Sequence, residues 1–227
     1  MATIKGHLNG TQFDEANLVA YWKLENVSDS GPNGYTLTNT GPIPFISGAF
    51  ANCASCVSTS AYSLKVNSSL GLAASTTTIS FWVYMTAEKS NNFIITTFDS
   101  VHMAGFRFYG TTGGNIVLTR WLVGGSVSNL NYTSSTLINR WINLILTYDT
   151  VNIRGYANGS YLGLLAASGD GSSNQGDWFW IGADRDIAGR YFDGKIDEIL
   201  VFNRVWSAQE IYNYYTQNRA MFSAYQW

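Results

Sequence analysis

F-D-G-K-I-D-E-I-L-V-F-N-R-V-W-S-A-Q-E-I-Y-N-Y-Y, residues 192–215, decides the fold. Its first half, residues 196–202, is rich in β-branched and aromatic residues and has the length of a buried strand. Its second half opens a short helix. Ser207 and Glu210 form a capping box, in which the serine hydroxyl accepts from the third amide and the glutamate returns a bond. Ile211, Tyr214 and Tyr215 then fall on one face at helical spacing. Two carboxylates, Asp197 and Glu198, stand where the strand begins. Strand alternation sets Asp197 with Ile199 and Val201, and Glu198 with Leu200 and Phe202, on opposite faces. On that pattern the pair shares neither a proton nor a substrate, and the stretch is a closing strand rather than an active site.

The upstream chain supplies partners for this strand. Residues 18–25 are apolar enough for a buried strand, and residues 77–85 and 140–148 are long, β-branched and aromatic. Residues 35–39, 49–58, 62–66, 92–98, 105–109, 115–123 and 178–181 are shorter candidates. Residues 151–164 read as a hairpin turning at Asn158-Gly159, a pair that accepts the positive φ angles of a tight turn. About a dozen short strands with turn signals between them mean a sandwich or barrel. The reading gives an N-terminal arm at 1–17, one all-β domain at 18–216 and an aromatic tail at 217–227.

Composition narrows the function classes. The chain has 227 residues, enough for one domain that owns a core without a disulfide or metal. Only 12% of residues are charged and the net charge is −2, with no basic stripe to neutralise phosphates, so nucleic acid is not an expected partner. No apolar run has the length of a membrane span. The first residues, M-A-T-I-K-G-H-L-N-G, lack the apolar core of a secretory signal. Either a signal was removed and a methionine added, or none was used; in the second case the expectation is a protein that acts inside a cell or leaves by lysis, as virion proteins do. Cys53 and Cys56 make one C-x-x-C, but His7 and His102 are too scattered to complete a zinc site, and two small buried or strand-edge thiols are expected.

The order of these segments resembles the laminin G-like, concanavalin A-type jelly-roll domains. The matching stations are L-V-A-Y-W-K-L-E at 18–25, D-S-G-P-N-G at 29–34, I-S-F-W-V at 79–83, W-I-N-L-I-L-T-Y-D at 141–149, Y-A-N-G at 156–159, I-G-A-D at 181–184, and residues 192–211. The resemblance implies a two-sheet antiparallel jelly-roll sandwich. It does not by itself imply a function, because the fold hosts lectins, glycosidases and scaffolds. Two departures stand out. Cys53 and Cys56 lie where family members carry an apolar strand, and Leu200 falls where arginine is common.

Four site hypotheses follow. The resemblance implies a structural calcium (Ca2+) held by Asp29 and Asp197, with carbonyls and waters completing six to eight oxygens. The alternative is a pair of aspartates capping backbone turns. For carbohydrate binding, Trp178, Asp184, Arg185, Asp186, Arg190 and Tyr191 form the best-placed ligand-binding set, whereas Trp22, Trp82, Trp141 and Trp180 belong to strands and are expected in the core. For catalysis, the close carboxylate pairs weighed are Asp184/Asp186 and Asp197/Glu198. The first pair reads as solvated loop residues and the second as divided between faces, so no enzyme is expected. For assembly, the aromatic tail is an anchor for copies of the chain or for a host shell. The expected function is a non-catalytic recognition or structural module displayed on a virion or other extracellular surface, with virion proteins or glycans as partners. A secreted cellular carbohydrate-binding domain and a glycosidase with a non-standard site are the alternatives.

Overall fold

The computed structural model describes residues 7–8, 11–12, 15–68, 70–72, 76–97, 105–121, 127–135, 137–167, 178–184 and 188–224. The chain opens with a small ladder of β1 (His7–Leu8) and β2 (Thr11–Gln12), then β3 (Leu18–Trp22). Short strands follow: β4 (Thr38–Asn39), β5 (Phe45–Ser47), β6 (Asn52–Cys56) and β7 (Leu64–Val66). Long strands carry the middle: β8 (Thr77–Met85), β9 (Asn92–Thr96), β10 (Gly105–Thr111), β11 (Asn115–Trp121), β12 (Val127–Thr133) and β13 (Trp141–Tyr148). The hairpin β14 (Asn152–Ala157) and β15 (Ser160–Ala166), then β16 (Phe179–Ile181), β17 (Gly194–Phe202) and helix α1 (Ala208–Ala224), complete the fold.

These strands build two antiparallel sheets, the jelly-roll sandwich expected. One is seven-stranded, ordered β12-β11-β10-β9-β16-β7-β4. The other is eight-stranded, ordered β15-β14-β13-β8-β17-β6-β5, with β3 also paired to β17. Alternation fills the space between them. Trp22 of one sheet meets Phe179 of the other with ring centroids 5.1 Å apart, and Phe81 meets Phe108 at 5.0 Å. Each such buried ring contributes about 2–3 kcal/mol through area removed from water. Arg120 is also buried, its guanidinium 4.1 Å from the Tyr148 ring centroid and 4.8 Å from that of Phe106.

The opening stretch has a more particular role than a closing strand. β17 lies beside β8 along its length but has two partners on its other side. Residues 194–196 pair with β6, and residues 199–202 pair with β3. Asp197 and Glu198 stand where one partner gives way to the other. The capping box forms as expected: the Glu210 amide donates to Ser207 Oγ at 3.2 Å, and the Ser207 amide donates to Glu210 Oε2 at 2.7 Å. The helix is longer than expected, running to Ala224. Ile211 and Tyr214 pack with Leu18, Tyr21, Leu200, Phe202 and Trp206 on the outer face of the eight-stranded sheet. Tyr215 stacks on Trp82 at 6.0 Å.

Other boundaries moved for local reasons. The expected strand at 49–58 begins only at Asn52, because residues 48–51 turn back, with the Gly48 amide donating to the Ala51 carbonyl. β12 was not expected: its sequence, V-S-N-L-N-Y-T, is polar at most positions because it is an edge strand. Trp141 is half-buried rather than in the core. Asn158 and Gly159 do adopt positive φ, 50° and 75°. Among the described residues no helix is long and apolar enough to cross a membrane.

Candidate functional site

The outer face of the seven-stranded sheet carries one continuous row of side chains. Lys65 lies between interior residues Leu64 and Val66, Trp180 between Phe179 and Ile181, and Arg107 between Phe106 and Phe108, so each points outward. The strand register then lines them up. Thr38 pairs with Lys65, Lys65 with Trp180, Trp180 with Thr96, Thr96 with Arg107, Arg107 with Thr119 and Thr119 with Asn129. At about 4.8 Å per strand, the stretch from Lys65 to Thr119 spans roughly 19 Å.

Two cation–aromatic groups flank the middle of the row. Lys65 Nζ lies 4.4 Å from the Trp178 ring centroid and 4.5 Å from that of Trp180. Arg107 lies 5.5 Å from the Phe93 centroid and 5.3 Å from that of Trp121. Between and beside them, hydrogen-bonding atoms are left over. Thr96 Oγ1, Thr119 Oγ1, Trp180 Nε1 and Asp184 Oδ1 are buried and bond no other group among the described residues. Each such atom costs about 1–3 kcal/mol relative to a bonded one, so each calls for a partner such as a water or a ligand.

Of the expected sugar-contacting residues, Trp178, Asp184 and Arg190 make contacts on this face. Trp178 packs against Trp180 at 6.0 Å. Asp184 is not a solvated loop residue: it is fully buried, and its Oδ2 accepts from Arg190 Nη1 at 2.6 Å and from Arg107 Nη2 at 3.2 Å. Burial lowers the Arg107 pKa, and the Asp184 charge opposes that effect. Asp184 therefore fixes two cations on the face. Tyr191 forms a bridge with Ala183 and is half-buried. Arg185 and Asp186 lie outside the described residues. Lys65, Thr96, Arg107 and Thr119 were missed by sequence reasoning. The signal was a polar residue set among apolar ones in each expected strand, but only the register shows that the four share a row.

The carboxylates of β17 correct a second expectation. Alternation set Asp197 and Glu198 on opposite faces; the structure sets both on the outer face of the eight-stranded sheet. A β-bulge is the cause. Asp197 pairs with Trp82 and Leu200 with Ser80, so one extra residue is accommodated, and Glu198 takes a left-handed φ of 51°. That conformation costs a non-glycine residue about 1–2 kcal/mol. Each carboxylate is bonded to one of the two strand partners. Asp197 Oδ2 accepts from the amides of Ala49 at 2.8 Å and Phe50 at 3.4 Å, in the turn between β5 and β6. Glu198 Oε2 accepts from the Tyr21 hydroxyl on β3.

Burial drives the protonation of this cluster. It raises Asp197 well above the ordinary carboxylate range, with the Glu198 charge adding to the effect. It raises Glu198 to about 7, partly offset by the Tyr21 bond. Tyr21 and Tyr214 are pushed up by burial and then by the charge of Glu198. Cys53 and Cys56 are free, buried thiols raised to about 12, chiefly by burial, which makes them poor nucleophiles.

Asp29 and Asp197 bond to different turns. Asp29 Oδ1 accepts from the amides of Tyr21 and Gly31, at 2.8 and 2.7 Å, and its Oδ2 accepts from the Tyr35 amide at 2.8 Å. Asp197 sits where burial disfavours its charged form. Both fit backbone caps better than calcium ligands, which are charged and turned toward the ion. Among the described residues no group of three or more His, Cys, Asp or Glu is gathered to hold a metal.

Comparison with known proteins places this fold. Domain 4 of AbnA, a GH43 extracellular arabinanase from Geobacillus stearothermophilus solved in complex with arabinotriose, is similar over 87% of this chain and 97% of its own, at 16% identity and TM-score 0.72. The botulinum neurotoxin type G receptor binding domain is similar over 88% of this chain, at 17% identity and TM-score 0.69. The binding domain of Paraclostridial Mosquitocidal Protein 1 is similar over 88%, at 15% identity and TM-score 0.71. The chain spans about half of each of these two toxin domains, 51% and 52%. No curated protein matches the sequence. Residues 58–212, more than half of the chain, match the Laminin_G_3 family. The chain belongs to that family, within the concanavalin A-like lectin/glucanases superfamily.

Proposed function

We infer that the protein is a non-catalytic recognition module that binds a glycan on the outer face of its seven-stranded sheet. The row from Lys65 to Thr119 carries this reading. It combines aromatic rings, fixed cations and buried hydrogen-bonding atoms that bond no other group among the described residues. Sugars need those elements together: rings for their C–H faces and polar atoms for their hydroxyls. The structural likeness to an arabinanase domain solved with arabinotriose lends support at the level of fold. The non-catalytic part rests on position. Asp197 and Glu198 lie on the opposite sheet, in contact with residues that pack under α1, and each is bonded to a neighbouring strand or turn.

Display on a virion or comparable surface assembly is the second part of the reading. The exposed apolar side chains Val151, Tyr161, Leu164 and Leu165 on and beside the β14–β15 hairpin favour it, since they offer an attachment face. A glycan array tests the first part: binding to defined glycans is expected, and no hit on any glycan would leave only a structural role. Turnover of a polysaccharide, lost in D197N or E198Q, would overturn the non-catalytic reading. Co-purification with a particle tests the second part.

A further inference from the structure

Helix α1 covers only part of the outer face of the eight-stranded sheet. Beyond the Trp82–Tyr215 stack, Tyr84 and Trp141 stand opposite each other on β8 and β13, with ring centroids 5.6 Å apart. A groove of about 680 Å³ is lined by these two rings, by Asn158, and by three cations: Arg140, Lys195 and Arg219 from α1. Among the described residues no carboxylate lines it. Its volume lies within the range of about 300–1,000 Å³ for small-molecule sites.

We propose that this groove binds an anionic oligosaccharide, a sugar chain carrying a carboxylate or a sulfate. Lys195 and Arg219 give the groove positive charge that an anion complements. Among the described residues Lys195 and Arg219 form no ion pair with a carboxylate. Lys195 is nonetheless held in place. Its Nζ sits 5.3 Å from the Tyr84 ring centroid and donates to the Ser47 carbonyl at 3.5 Å, which leaves donors for a ligand. The rings decide between a sugar and a bare anion. Trp141 is half-exposed, and a sulfate or phosphate ion has no use for an aromatic platform, whereas a pyranose stacks on one. This site is on the opposite sheet from the Lys65–Thr119 row and does not depend on it.

Calorimetry on the whole chain tests the proposal with four probes: trigalacturonate, its methyl ester, a sulfated disaccharide and inorganic sulfate. Saturable binding of either acidic sugar is expected, and the one preferred identifies the acid group. Affinity should fall about tenfold or more in R219E, in K195A and on methyl esterification, and should weaken with salt. Arg219 is exposed on α1, so R219E should keep its melting midpoint, which separates loss of binding from loss of folding. The T96V/T119V variant should bind the acidic sugars as wild type does. The proposal is overturned if neither acidic sugar binds, if the ester binds equally well, if both charge variants bind normally, or if inorganic sulfate binds as tightly as the sugars.

Discussion

The two outer faces of the sandwich set their buried carboxylates to different tasks. On the eight-stranded sheet, Asp197 and Glu198 are bonded to the fold. One holds the turn between β5 and β6, the other holds β3, and the side chains around them pack under α1. On the seven-stranded sheet, Asp184 fixes Arg107 and Arg190, while Thr96, Thr119 and Trp180 lie in one row, each with an atom that bonds no other group among the described residues. Buried carboxylates alone therefore do not mark a site in this fold. A row of buried polar atoms set beside two cation–aromatic groups marks the seven-stranded face, whereas atoms unbonded among the described residues also occur by themselves on the eight-stranded sheet, at Asp197 Oδ1, Asn143 Oδ1 and Thr147 Oγ1.

This contrast can be broken by mutation, starting with the closed face. Tyr214→Ala removes a buried ring beneath α1 and should cost about 3–5 kcal/mol in urea unfolding; a cost under 1 kcal/mol would mean that the helix does not seal this face. The next effect concerns pH. The Glu198 pKa is about 7 in the folded chain against an ordinary 4.5, so the folded state holds its proton more tightly. The stability this provides is complete below pH 4.5 and is lost as pH rises through 7, a change of about 3 kcal/mol. Unfolding curves should show a steeper loss in wild type than in E198Q, where the raised Asp197 still contributes; equal pH profiles would refute the assignment.

Gly48→Ala should cost about 1–3 kcal/mol, because a Cβ there would come within 2.6 Å of both Asp197 Oδ2 and Cys53 Cβ. On the other face, T96V/T119V removes two unbonded hydroxyls. It should change stability by about 1 kcal/mol or less while weakening glycan binding, and a large loss of stability would place those hydroxyls in the fold's own bonding. The smallest expected effect is chelation. If Asp29 and Asp197 are caps, EDTA leaves the melting midpoint unchanged; a fall of several degrees would restore the calcium assignment.

Much of the sandwich was legible in the sequence. β8 was expected at residues 77–85 and β13 at 140–148 because β-branched and aromatic residues dominate them, and both formed within one residue of those limits. The β14–β15 turn followed from Asn158-Gly159. The face of Glu198 was not legible. Strict alternation predicts the opposite side, and the bulge lies where β17 exchanges β6 for β3, a change of partner that only the register shows. The edge of the candidate site was visible in Trp178, Asp184 and Arg190, which are close in sequence. Its centre was not, because Lys65, Thr96, Arg107 and Thr119 come from four strands and meet only through register.

The Trp180 indole resonance tests the central claim most directly. Its N–H is buried in the middle of the row with no bonding partner among the described residues. On titration with a glycan selected by array, this NMR signal should move in step with saturation, and the movement should vanish in T96V/T119V. If the glycan binds while the Trp180 signal stays fixed, the outer face of the seven-stranded sheet is not the recognition surface.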